Sequence, residues 1–440
     1  MSISKTLTFS KAAKFPVPER VQENVKAMNF SKSIGNNNLG ASLSLLSKKD
    51  KGLIAGAATI PNPKYVAKAT LNKIRKINPF RNKQAASQIK DSTYIDMGIF
   101  EGLIGKAITW YSKEYPKGFY DTKNLNAQLD TVFNPLVADG TDQINLSFAQ
   151  ISNIKAILNP DLTKSYSGSD KILEILRFNP SGDNLAMNKP IVQDGKELPQ
   201  DIIQYISSYA NSKGIKVDLS FGGAVAQNSD YVLGDPVEAS NNLVALMDKY
   251  DMQTVDFDIE DPEGLMANGT ANVVSFFKTL HTALAAKDKK VLLTVLGATS
   301  NGPKGPLKPI FDEFDSCADG VRLMLYNGGS QFYIDANNPS WGLKAWEEII
   351  DDPSKIAIGF YDKVPYETPQ SSDAAYSAEK YSGFPTNPTR AEAAAWIYKK
   401  VSKDSGLSID KLGEPFIWTD DPLTISTNTF FQEFDKALNQ

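Results

Sequence analysis

From about residue 104 the chain alternates short apolar runs with stretches of helical periodicity. The runs lie at 107–111, 143–148, 216–221, 254–260, 291–295, 321–326, 355–361 and 414–418. Each is rich in β-branched, aliphatic or aromatic residues and has the length of a strand. Between them, 198–211 places apolar residues at helical spacing and stops near Gly214. A second helix over 242–250 leads into the fourth run, and Thr389 with Glu392 forms a capping box before 393–401. Eight strand–helix alternations predict an α/β fold, a (β/α)8 TIM barrel with extended loops. A doubly wound open sheet is the alternative.

The fourth run breaks the apolar pattern. Asp256, Asp258 and Glu260 alternate with Val255, Phe257 and Ile259. Successive strand side chains point to opposite faces, so three carboxylates share one face. Acidic residues are poor strand formers, and crowded carboxylates resist common ionisation. A carboxyl whose proton affinity is raised in this way can act as an acid near neutral pH. An edge strand with a solvated acidic face is the alternative. In a barrel the C-terminal strand ends form one mouth. Glu260 ends the fourth strand there, Tyr326 the sixth and Trp418 the eighth, while Ser220 to Gly223 close the third.

Composition narrows the chemistry. The 440 residues suit one large domain with an appendage, and 41% hydrophobic with 22% charged residues is ordinary for a soluble globular protein. The single cysteine, Cys317, permits no intrachain disulfide, and the single histidine, His281, lies in an amphipathic helix. A multi-histidine metal site is therefore excluded, and no Walker-type phosphate loop occurs. Neither a metal nor a cofactor is expected. Residues 1–98 carry 17 basic and 5 acidic side chains, against 30 and 46 in the remainder. This basic region, with few aromatics, is expected to be a partly disordered or loosely helical extension, leaving 99–440 as the catalytic domain. It has no apolar core of a secretory signal, and lysines interrupt the mildly apolar stretch 39–60, so no membrane span is expected.

These motifs together resemble glycoside hydrolase family 18, the chitinase and endo-β-N-acetylglucosaminidase family. Its Asp-x-x-Asp-x-Asp-x-Glu signature is matched by Asp256, Asp258 and Glu260, with Gln253 standing at the first position. Its Ser-x-Gly-Gly motif appears as Ser220, Gly222 and Gly223, and its Met-x-Tyr motif as Met324 and Tyr326. A Trp at the eighth strand end appears as Trp418, and Asn327 follows Tyr326 where many members have Asp. The resemblance covers about residues 104–440. It implies a retaining, substrate-assisted hydrolase in which the substrate's own acetamido oxygen is the nucleophile. It further implies Glu260 as acid and base, Asp258 as partner of the acetamide N–H, and Tyr326 as donor to the acetamide carbonyl. Asp256 would tune Asp258, and Trp418 would stack under the sugar. Gln253 is expected to relieve repulsion in the acidic set and to shift the pH optimum.

Around this centre Met324, Asn327, Ser220, Gly222, Gly223, Trp110, Tyr361 and Asp362 are expected at the substrate. Trp341 and Trp346 are read as sugar platforms or local core, with Trp341 the better platform. The segment between the seventh and eighth strands leaves no room for the extra insertion that deepens the groove in some members, and an open cleft favours internal cleavage. The expected substrate is chitin or an N-acetylglucosamine oligosaccharide, cleaved by an endo-chitinase. The alternatives are an endo-β-N-acetylglucosaminidase acting on N-glycans and, from another class, a catalytically silent lectin or toxin-assembly subunit. Chitin is extracellular, so action outside the cell is expected, after export from the cytoplasm without a signal peptide. The basic extension is expected to serve export, packaging or docking to an acidic partner, by analogy with insect-pathogen toxin assemblies that contain family members as subunits. A solvated basic tail is the alternative, and no aromatic-interleaved motif favours nucleic acid.

Overall fold

The computed structural model describes residues 92–96, 104–109, 112–116, 118–149, 151, 154, 158, 189–223, 231–300, 302–324, 342–361, 383–386, 388–419 and 430–440. Eight parallel strands close into a barrel: β1 (Ser92–Asp96), β4 (Gln143–Ala149), β7 (Lys216–Gly222), β8 (Thr254–Ile259), β9 (Lys290–Leu296), β10 (Gly320–Met324), β11 (Ile356–Tyr361) and β12 (Phe416–Thr419). β1 pairs with both β12 and β4, which completes the closure. The remaining strands, β2 (Ile108–Thr109), β3 (Phe119–Asp121), β5 (Ile191–Gln193) and β6 (Lys196–Leu198), form a separate four-stranded sheet.

Seven of the eight expected strand runs are barrel strands. The first is not: 107–111 contributes only β2 to the small sheet, and the barrel opens with Ser92–Asp96 instead. The barrel therefore begins inside the segment assigned to the basic extension, and the boundary at 98/99 is corrected accordingly. The physical reason is pairing. Ser-Thr-Tyr-Ile-Asp has little apolar pattern of its own, yet it bridges the two open edges of an otherwise seven-stranded sheet. Whether the residues before it are loosely helical lies outside the described residues. Among those described, no helix is long and apolar enough to cross a membrane.

Helices pack on the outside: α1 (Thr122–Asp139), α2 (Ile202–Ser212), α3 (Pro236–Lys249), α4 (Thr270–Ala285), α5 (Arg390–Ser405) and α6 (Phe430–Leu438). Their starts are written locally. Asp121, Asp201 and Asp235 accept first-turn N–H groups, and Asp201 with Gln204 and Thr389 with Glu392 form complete capping boxes.

Strand alternation divides the core in two. Val255, Phe257 and Ile259 of β8 face outward and are at most 3% exposed. Phe257 meets Phe276 and Phe277 of α4 edge-on, with ring centroids 5.8 and 5.0 Å away. Burying such side chains contributes about 1.5–3 kcal/mol each, so this face fixes the strand on its helix. Inside the barrel, Tyr94, Leu292, Met324, Ala357 and Phe416 form a second, smaller apolar cluster with Leu296 and Trp418 against it. The same interior also holds Asp218, Asp256, Asp258 and Arg322, all buried.

Candidate active site

β8 lies between β7 and β9, in a register that sets Ser220 beside Asp256 and Gly222 beside Asp258. Asp256 is fully buried at mid-strand and is surrounded by donors. Tyr94 Oη and Ser220 Oγ reach its Oδ2 at 2.8 and 2.6 Å, and Thr294 Oγ1 donates to its Oδ1 at 2.7 Å. Arg322 Nη1 stands 3.6 Å from Oδ1. These surroundings are made for an anion.

Asp258, two residues on, meets the opposite conditions. It is 3% exposed, and among the described residues its Oδ1 has no hydrogen-bond partner. Burial, then the charges of Glu260 and Asp256, push its carboxyl well above the usual carboxylate range. Glu260 follows the strand and is half-buried. The three carboxylates thus run from a buried, saturated site to an accessible one at the C-terminal barrel end.

The two glycines after Ser220 allow this approach. A Cβ on Gly222, at φ +112°, would stand 2.1 Å from the Asp258 carbonyl oxygen. The Gly223 N–H donates to that same oxygen at 2.9 Å. A Cβ on Gly223 would fall 2.5 Å from the Phe148 ring. Tyr231 is buried nearby, and burial together with Asp258 raises its phenol far above its ordinary range, so it stays neutral.

Aromatic residues line the same end. The half-buried Trp418 stacks on Phe148 at 5.2 Å with planes 10° apart and tilts against Tyr94 at 5.9 Å. Phe148 is the extra residue of a bulge in β4: Ser147 pairs with Ser220 and Ala149 with Phe221.

Of the residues singled out in the sequence, Asp256, Asp258, Glu260, Ser220, Gly222, Gly223 and Trp418 converge on this end of the barrel. Ser220, expected at the substrate, is fully buried and spends its hydroxyl on Asp256. Met324, also expected there, is 1% exposed within the interior cluster. Trp346 is core, fully buried with its indole N–H on the Gly297 carbonyl at 2.7 Å. Tyr326, Asn327, Trp110, Trp341 and Asp362 lie outside the described residues, as does the side chain of Tyr361.

Gln253 stands apart from the acidic set. It precedes β8 at the far end of the barrel, and its amide lies at 3.4 Å from Asp251 oxygens. The expected relief of repulsion therefore has no basis in the geometry. The buried carboxylate at that level belongs to Asp218. It accepts the Gln253 and Thr254 N–H groups at 2.8 and 3.1 Å and the Gln143 amide at 2.7 Å. Burial nonetheless pushes it up to about 7, against the lowering effect of these N–H groups and of Arg322.

Tyr94, Phe148, Asp218 and Arg322 were not foreseen as part of this centre. The available signals were a charged residue inside each of the apolar runs 216–221 and 321–326, and a tyrosine two residues before the aspartate in Ser92–Asp96.

Among the described residues no group of acidic, histidine and cysteine side chains could hold a metal ion. No curated protein matches the sequence. The fold is similar to a chitinase from Pseudoalteromonas aurantia, with 15% identity over 80% of this chain and 99% of that one and a TM-score of 0.45. It is also similar to the catalytic domain of a hyperthermophilic chitinase from Pyrococcus furiosus, at 14% identity, 80% and 97% coverage and a TM-score of 0.40. A xylanase-alpha-amylase inhibitor protein in complex with trehalose aligns at 14% identity, 78% and 97% coverage and a TM-score of 0.40. The sequence matches the profile of Glycosyl hydrolases family 18 over residues 115–435. That match spans most of the chain and takes in seven of the eight barrel strands with the whole acidic strand. The chain belongs to glycosyl hydrolases family 18.

Proposed function

We propose that the protein is a retaining endo-chitinase, hydrolysing β-1,4-linked N-acetylglucosamine polymers by substrate-assisted catalysis. The observation that carries this reading is Asp258: buried, with one carboxyl oxygen unpartnered among the described residues, two positions before the half-buried Glu260. A buried carboxyl oxygen without a donor is costly. The N–H of a bound 2-acetamido group would supply that donor.

In the proposed reaction Asp258 passes its proton to Glu260 as it accepts the acetamide N–H. Glu260 delivers the proton to the glycosidic oxygen while the bond from that oxygen to the anomeric carbon breaks. The acetamido carbonyl oxygen bonds to the anomeric carbon from the opposite face, giving an oxazolinium ion and releasing the first sugar. Water then attacks the anomeric carbon, Glu260 takes its proton, and the ring opens with net retention. Tyr326 would donate to the acetamido carbonyl. The Trp418 and Phe148 rings would carry the apolar face of the sugar.

The test is turnover of chromogenic chitobiose and chitotriose glycosides. Wild type should release the chromophore, and Glu260→Gln should lose about 10²–10⁴-fold in kcat. Binding of the oligosaccharide without turnover by wild type would sink the enzyme reading in favour of a lectin. Product analysis on chitin oligosaccharides beside a high-mannose glycoprotein separates the chitinase from an N-glycan endoglycosidase.

A further inference from the structure

Arg322 is an unexpected occupant of the barrel. It stands on β10 in an otherwise apolar strand and is 0% exposed. Its Nη2 donates to Ser92 Oγ at 2.8 Å, and its Nη1 donates to Tyr94 Oη at 3.0 Å. Its guanidinium centre lies 5.5 Å from the Tyr94 ring and 5.7 Å from the Phe416 ring. A guanidinium does not give up its proton, and burying one costs several kcal/mol unless an anion compensates.

The compensating anion is the mid-strand carboxylate. Arg322 acts on it twice, directly across 3.6 Å to Asp256 Oδ1 and through the Tyr94 hydroxyl, which touches Asp256 Oδ2 at 2.8 Å. The charged or titratable groups facing the guanidinium are Asp256 of β8, Asp218 of β7 and the Tyr94 phenol of β1. Asp258 and Glu260 follow further along β8. On β9 the only charged residue is Lys290, at the strand start, and β4, β11 and β12 contain no Asp, Glu, Lys or Arg. Among the described residues Asp258 has no such cation. Its electrostatic neighbours are two carboxylates.

We propose that Arg322 is a positioning residue for the hydrolysis. By setting its charge against Asp256, directly and through Tyr94, it leaves the mobile proton of the acidic face to Asp258 and Glu260, where the reaction uses it. Without the cation the acidic face would lose its buried counter-charge, and Asp258 would hold its proton to higher pH. The inference rests on the hydrolase reading above and adds to it the device that decides which carboxyl carries the proton.

The test is the pH dependence of kcat and of kcat/KM on a chromogenic chitotriose glycoside for wild type, Arg322→Gln and Arg322→Lys. Arg322→Gln should move both limbs of the profile upward by about one pH unit or more. It should also lower kcat about 10–100-fold with little change in KM. Arg322→Lys keeps the charge and should return the limbs to within a few tenths of a unit of wild type. Tyr94→Phe keeps the ring but removes the relaying hydroxyl, and should move the limbs in the same upward direction. It serves if Arg322→Gln does not fold. Limbs that stay at their wild-type positions in a folded Arg322→Gln, or in Tyr94→Phe, would overturn the role even if kcat falls. No turnover by wild type would remove the hydrolase reading and this role with it. Turnover with unmoved limbs would remove this role alone.

Discussion

Asp256 and Asp258 stand two residues apart on one strand, on the same face, both buried, yet the barrel treats them in opposite ways. The mid-barrel site surrounds Asp256 with three hydroxyl groups and a guanidinium. The mouth gives Asp258 an unpartnered oxygen and two carboxylate neighbours. The first arrangement satisfies a charge within the protein, and the second leaves one to be satisfied by something that binds. A buried polar network that is complete stabilises its surroundings, while an incomplete one marks where a ligand is expected.

This contrast can be broken by substitution. The largest effect is expected from Asp258→Asn, which should cost about 10²–10⁴-fold in kcat. The same variant should unfold at no lower denaturant concentration than wild type at pH 8, because one oxygen of the lost carboxyl has no donor among the described residues. Asp256→Ala should do the reverse in stability. It strands Arg322 in the barrel without its anion, a loss of about 3–5 kcal/mol that denaturant unfolding would measure. Similar stability losses for the two variants would erase the distinction.

Gly222→Ala tests the approach of the two strands. Its Cβ would meet the Asp258 carbonyl at 2.1 Å in a conformation that L side chains rarely adopt. A stability loss of about 1–3 kcal/mol is expected, with a fall in kcat as Asp258 is displaced. The last effect is one of pH dependence and concerns Asp218. Its folded-state proton affinity is raised to about 7, so the folded chain binds this proton more tightly than the unfolded chain. Its contribution to stability is complete below the ordinary carboxylate range and is lost as pH rises through about 7. Asp218→Asn should flatten the fall in unfolding free energy between about pH 4 and 7 by up to about 1.4 kcal/mol per pH unit. An unchanged slope would place the proton elsewhere.

The mouth was far more legible in the sequence than the mid-barrel. Asp258 and Glu260 end an alternating run, and strand periodicity alone puts them on one face. Gly222 and Gly223 close a recognisable run. The partners of Asp256 come from β1, β7, β9 and β10, and no local pattern links Tyr94, Ser220, Thr294 and Arg322 before the barrel closes. Arg322 sits in an apolar run that reads as an ordinary buried strand. Phe148 reaches the mouth through a bulge, which shifts the alternation on which a face assignment depends. The first barrel strand was missed for a related reason, since Ser92–Asp96 owes its place to its two neighbours more than to its own pattern.

The most direct test of the contrast is the protonation state of Asp258, read by difference infrared spectroscopy at pH 6. Subtracting the spectrum of Asp258→Asn from that of wild type should leave a protonated-carboxyl C=O band, because burial and its two anionic neighbours keep the proton on Asp258. A carboxylate signature from Asp258 would contradict its reading as the proton-bearing carboxyl of the strand.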